Sequence, residues 1–169
     1  MGVIGYGYWG PNIVRNFQNQ ENVRVVAVSD KNPNALKRVS KTYPDIRLIQ
    51  DAREVLSASD IDAVAIVTPV STHYDLAREA LSNGKHIFIE KPFTASTAQA
   101  RDLLDLAGKK GLIVMVDHTF LFTGAVRKIK QLIEDNDLNR IIVASCTPRT
   151  HLTLFQETAR EAEIGRAHV

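Results

Sequence analysis

Residues Val3–Gly10 read VIGYGYWG. Gly5, Gly7 and Gly10 thus form G-x-G-x-x-G, set between a short apolar run and a stretch opened by Pro11, a residue suited to a first helical turn. Each glycine answers a separate steric demand. The first permits a tight strand-to-helix turn, the second lets backbone approach a pyrophosphate, and the third lets the helix lie close on the strand. Backbone amides at the helix start, with the helix dipole behind them, then face the phosphate charge.

Outward from this turn, short β-rich runs alternate with helical patterns. Strands are expected at Val3–Ile4, Val23–Ser29, Ile46–Ile49, Ala63–Val67, His86–Ile89 and Leu112–Val116. Several are continuously apolar, as parallel strands covered on both faces require. Helices are expected over Pro11–Asn19, Pro33–Thr42, Thr72–Ser82 and Thr94–Lys110, with Gly84 as a stop signal after the third. This alternation predicts an α/β fold, a doubly wound parallel sheet of Rossmann type. Beyond it, Leu121–Asp135 reads as a helix with Val126, Ile129, Leu132 and Ile133 on one face, and Ile141–Ser145 as one more strand.

The chain has 169 residues, 44% hydrophobic and 24% charged, with a formal net charge of +2. Such a composition belongs to a globular domain, and one complete domain of roughly 150 residues uses nearly all of it. The charge balance leaves no basic patch for nucleic acid or an anionic membrane. No apolar run reaches the ~18 residues of a membrane span, and the N-terminus does not read as a signal peptide. Cys146 is the lone cysteine. It is expected to be a small buried hydrophobe in a reducing, cytoplasmic protein. The five histidines are dispersed, so no metal site is expected. Triphosphate-binding and nucleophile-elbow motifs are missing as well.

Asp30 closes the second strand, where its carboxylate can accept hydrogen bonds from adenosine ribose hydroxyls and repel a 2′-phosphate. This favours NAD over NADP, with Lys31 softening the preference. Glu90-Lys91-Pro92 follows the fifth strand and Thr68-Pro69 the fourth, with His73 shortly after. Both segments lie at strand carboxyl ends, the edge where ligands sit in open α/β sheets. His118 closes the sixth strand on that same edge.

Taken together, these motifs resemble the glucose–fructose oxidoreductase / inositol dehydrogenase (Gfo/Idh/MocA) family. The matching residues are the GYGYWG turn, Asp30, TPVSTH from Thr68 to His73, GKHIFIEKPF from Gly84 to Phe93, and VDHTFLFTGAVRKIK from Val116 to Lys130. The resemblance implies an NAD-dependent oxidoreductase acting on a secondary alcohol of a sugar, cyclitol or nucleotide-sugar. It also implies a homo-oligomeric parent protein. Lys91 would be the catalytic residue, bonding the hydroxyl being oxidised and assisting proton transfer. Glu90 would help position it, and Pro92, after a cis peptide, would fix the backbone. Gly5, Tyr6, Gly7, Tyr8, Trp9, Gly10, Asp30, Thr68, Pro69, His73, Glu90, Lys91 and Pro92 would line the cofactor, and His118 with Lys91 the substrate side. Among the loop aromatics, Trp9 is expected to pack structurally.

Family members are about twice this length and carry a C-terminal domain with further substrate-contacting residues. Residues 1–118 are therefore expected to form the NAD-binding domain and 119–163 the truncated start of the second. Residues 164–169, IGRAHV, match one frame of a widely used sequencing adapter and are expected to be read-through. A fragment of this kind would be inactive by itself. A non-catalytic dinucleotide-binding module or redox sensor stays open beside the enzyme reading, since fold does not fix function. Lys91 discriminates between them, because a sensor needs no lysine at the nicotinamide end.

Overall fold

A computed structural model describes residues 1–135. The strand expected over Ile141–Ser145, the burial of Cys146 and the 164–169 tail lie outside the described residues. The chain divides into a first unit, Met1–His118, and a second beginning at Thr119.

The first unit is a six-stranded sheet, every neighbouring pair parallel, in the order β3-β2-β1-β4-β5-β6. The strands are β1 (Gly2–Ile4), β2 (Ala27–Ser29), β3 (Arg47–Ile49), β4 (Ala63–Ile66), β5 (His86–Glu90) and β6 (Val114–Asp117). Between them run α1 (Gly10–Gln18), α2 (Pro33–Thr42), α3 (Ala52–Ser57), α4 (His73–Ser82) and α5 (Thr97–Lys110). Successive strand residues point to opposite faces, so the inner strands β1, β2, β4 and β5 feed two cores. Ile4, Ala27, Val64 and Ile66 pack with Val55 and Leu56 of α3, Ala77, Ala80 and Leu81 of α4, and Leu103 of α5. Val3, Val28 and Ala65 pack on the other face with Ile13 and Val14 of α1 and Leu36 and Val39 of α2. Strands buried on both sides are why these runs read as continuously apolar.

Several boundaries differ from the sequence reading. β2 is confined to Ala27–Ser29, with the Val26 amide before it donating to the Met1 carbonyl. Helix α5 starts at Thr97, where the Ser96 hydroxyl accepts the Gln99 amide as an N-cap; it ends at Gly111, left-handed at φ 65°. The periodic reading missed α3, which is only six residues long, too short to show a repeat. Its start is capped by Asp51, which accepts the Arg53 amide. Its far end is tied down by Lys85, a buried lysine donating to Ala58 O (2.6 Å) and Ile61 O (2.7 Å).

In the second unit the described residues form a 3-10 turn, Thr119–Phe122, and α6 (Gly124–Asp135). The apolar face expected on this helix is present, but Ile129 and Leu132 are exposed. Among the described residues no helix is long and apolar enough to cross a membrane.

Candidate functional site

The strand order reverses direction between β1 and β4, so their carboxyl ends open a crevice. Gly5 follows β1 with φ +98°, and a Cβ there would strike the carbonyl oxygen of Val67 at the end of β4. At Gly10 a Cβ would lie 2.6 Å from the Gly5 carbonyl oxygen. The chain's own packing therefore requires both glycines. Gly7 is different. A Cβ there meets nothing within 4 Å, so no part of the described chain explains the missing side chain. It leaves open space at the amino end of a helix with no side-chain cap and no acidic residue in its first turn. The cradle fits a pyrophosphate.

Asp30 sits beside this turn. Its Oδ2 accepts the Tyr6 amide at 2.7 Å and its Oδ1 the Asn32 amide at 2.8 Å. A carboxylate offers about four lone-pair sites, which leaves capacity for ribose hydroxyls. The Tyr6 peptide is gripped from its other end too, because Arg38 of α2 donates to Tyr6 O at 2.9 Å with its guanidinium 5.9 Å from the Tyr6 ring centroid. Sequence reasoning missed Arg38, since nothing in an exposed helical arginine foretells a tertiary bond.

The three loop aromatics separate. Tyr6 is buried in the core under the turn, with its hydroxyl pushed above the ordinary tyrosine value by burial, so its ring does not line the crevice. Tyr8 and Trp9 are 85% and 48% exposed and meet edge to face at 5.2 Å. Trp9 therefore does not pack into the core as expected.

On the far side of β4, Lys91 follows β5 and Thr68-Pro69 follows β4, on the same edge as the glycine turn. Two strand spacings separate β1 from β5, about 10 Å. The Lys91–Pro92 peptide is cis. Lys91 carries an exposed side chain, and its amide donates to Glu90 Oε2 at 3.0 Å. Glu90 itself is 8% exposed and directly opposite Asp117 in the β5–β6 register. Burial raises the Glu90 carboxyl above the ordinary glutamate range, and the Asp117 charge and hydrogen bond raise it further. Glu90 thus holds the Lys91 amide from behind, with its own side chain almost entirely withdrawn from the surface.

His73 also departs from its expected place. It is fully buried, with Nε2 2.7 Å from Thr68 O and Nδ1 3.0 Å from Pro92 O. The ring is wedged between the Thr68 loop and the Pro92 turn, its N–H donating to one of the two carbonyls according to tautomer, and it is withdrawn from the surface of the crevice. Thr68 Oγ1 lies 2.7 Å from the Thr72 hydroxyl, which closes the same loop. His118 is exposed at the end of β6.

A doubly wound parallel sheet with a glycine cradle at its switch point and a lysine turn on the same edge defines a dinucleotide-binding Rossmann protein of the oxidoreductase type. The chain belongs to the Gfo/Idh/MocA family, described as an oxidoreductase family with an NAD-binding Rossmann fold, whose model matches residues 1–118. It is similar to scyllo-inositol 2-dehydrogenase (NAD(+)) of Bacillus subtilis, 32% identical over 84% of this chain and 40% of that protein. A second relative is 2,7-anhydro-N-acetylneuraminate hydratase of Mediterraneibacter gnavus, 29% identical over 83% of this chain and 37% of that protein. Among solved structures, biliverdin reductase from Synechocystis, in complex with biliverdin and NADP+, matches at a TM-score of 0.74 and 26% identity, covering 79% of this chain and 42% of that one. The chain spans less than half the length of these relatives.

Proposed function

We propose that this chain is the nucleotide-binding part of an NAD-dependent oxidoreductase that acts on a secondary alcohol of a sugar, cyclitol or nucleotide-sugar. The observation that carries it is the shared edge: the Gly7 cradle and the Lys91 turn flank the Thr68-Pro69 loop on one side of the sheet. Gly5, Gly7 and Gly10 hold the pyrophosphate, and Asp30 takes the adenosine ribose hydroxyls, preferring NAD. Tyr8, Trp9, Thr68 and Pro69 border the cleft between the turn and the lysine. When bound, the nicotinamide supplies the hydride chemistry. Lys91 donates a hydrogen bond to the substrate hydroxyl and helps its proton leave. Glu90, Pro92 and His73 hold Lys91 in position, and His118 stands on the substrate side. The small-molecule substrate and a homo-oligomeric whole protein belong to the same reading.

Titration of this chain with NADH and NADPH tests it. Saturable binding is expected for NADH, tighter than for NADPH; a preference for NADPH overturns the role of Asp30. In a chain of the relatives' full length, Lys91→Met should abolish turnover while NADH binding persists. Turnover unchanged by that substitution would overturn the role given to Lys91, whereas NADH binding with no turnover in the unsubstituted full-length chain would favour the sensor reading.

A further inference from the structure

Glu90 and Asp117 end adjacent parallel strands at the same register, so both side chains leave the sheet on one face and meet. Such proximity is costly for two full charges. Glu90 is almost entirely withdrawn from water, and an ionised carboxylate there, opposite a half-buried neighbour of like charge, is held only at high cost. Yet Glu90 is committed to a second duty, since its Oε2 accepts the Lys91 amide. One proton reconciles the two demands.

We propose that Glu90 and Asp117 share a single proton and, as a joined pair, act as positioning residues for Lys91. With that proton between them the pair carries one negative charge, Glu90 stays folded against Asp117, and an oxygen of Glu90 remains aimed at the Lys91 amide. Without it, two carboxylates repel, and Glu90 must turn away, releasing the backbone on which the lysine is mounted. Burial and the Asp117 carboxylate both push the Glu90 proton in this direction.

The Lys91 amide and ammonium oppose this push, but less than burial and Asp117 drive it. The charged groups acting on Glu90 are Asp117 from β6 and Lys91 from its own turn. From α4, the His73 ring lies between the Thr68 and Pro92 carbonyls, donating its N–H to one of them. On α5, Asp102 is engaged by Tyr74 and Arg78. The pair is therefore the local determinant of how the lysine turn responds to pH. This inference leans on the proposed role of Lys91 for its importance to catalysis, but its physical content can be tested without cofactor or substrate.

The experiment is a pH titration of this chain by NMR, following the Glu90 side-chain carboxyl carbon and the Lys91 amide. Both are expected to move together, with a common midpoint above the ordinary glutamate value of 4.5. In Asp117→Asn the midpoint should fall, because an amide keeps a hydrogen-bonding partner while removing the like charge. In Glu90→Gln the Lys91 amide should lose its pH response altogether. A Glu90 midpoint unmoved by Asp117→Asn, or a Lys91 amide that ignores the Glu90 titration, overturns the proposal. NADH titration of the same samples separates this outcome from failure of the oxidoreductase reading, which would show as absent binding in the wild-type chain.

Discussion

An added methyl group at Gly10 would sit 2.6 Å from the Gly5 carbonyl oxygen, whereas one at Gly7 would meet nothing within 4 Å. Gly10→Ala should therefore unsettle the fold, by roughly 1–3 kcal/mol as overpacked sites do. Gly7→Ala should melt within about 0.5 kcal/mol of wild type, as substitutions touching nothing do. Its NADH affinity should nevertheless drop at least about tenfold, equivalent to about 1.4 kcal/mol. Paired thermal melts and fluorescence titrations check both. His73→Phe offers a second contrast. It removes the ring N–H that one of the Thr68 and Pro92 carbonyls receives, at a cost of about 0.5–1.5 kcal/mol in denaturant unfolding, and His73→Gln should recover part of it. The glycines were readable in the sequence because each answers a backbone demand stated locally. His73 was not, because spacing alone cannot tell whether a ring at a helix start turns outward to a ligand or inward between two loops.

Between elements, the side chains that matter come from distant segments. Asp102 on α5 receives the Tyr74 hydroxyl at 2.9 Å and the Arg78 guanidinium at 3.1 Å, both from α4. The Tyr74 hydrogen bond is the main cause that holds the Asp102 carboxyl below its ordinary value, with Arg78 adding to it. A lowered carboxyl stabilises the native state above the ordinary value and loses that contribution as pH falls through the lowered one. The melting-temperature gap between wild type and Tyr74→Phe should accordingly close on acidification. Glu90 runs the opposite way. Its raised carboxyl makes the native state bind the extra proton, so stability from this group declines as pH rises from the ordinary glutamate value through the raised one. Asp117→Asn should flatten that decline in melts recorded over the same range. None of these pairings showed in the sequence, because register between β5 and β6 is a property of two strands separated by a helix. The elements themselves were largely readable from their apolar runs and stops. The exception, α3, is explained by its length.

Across the whole first unit, every strand runs in one direction, which places all the motif-bearing ends on one edge and leaves β6 as the outer strand among the described residues. Ile113 and Met115 are 64% and 46% exposed at that side. Unpaired strand edges flanked by apolar side chains favour association. The chain should therefore self-associate as its concentration rises. The double variant Ile113→Thr/Met115→Lys should remain monomeric longer in light scattering, with NADH affinity unchanged because β4 and β5 stand between β6 and the glycine turn. The parallel, doubly wound character of the sheet was readable from the alternation of strand and helix. The exposure of Ile113 and Met115 was not, because a continuous apolar run does not say which of its faces is covered.

The double grip on the Tyr6 peptide bears on attempts to re-engineer nucleotide preference. Replacing Asp30 to admit a phosphorylated ribose would also strip the acceptor from the Tyr6 amide while Arg38 keeps pulling on the carbonyl at the other end. A swap that considers charge alone would loosen the loop it hopes to retune. A serine or asparagine, able to stand in for the lost oxygen, is the replacement from which such a redesign should start.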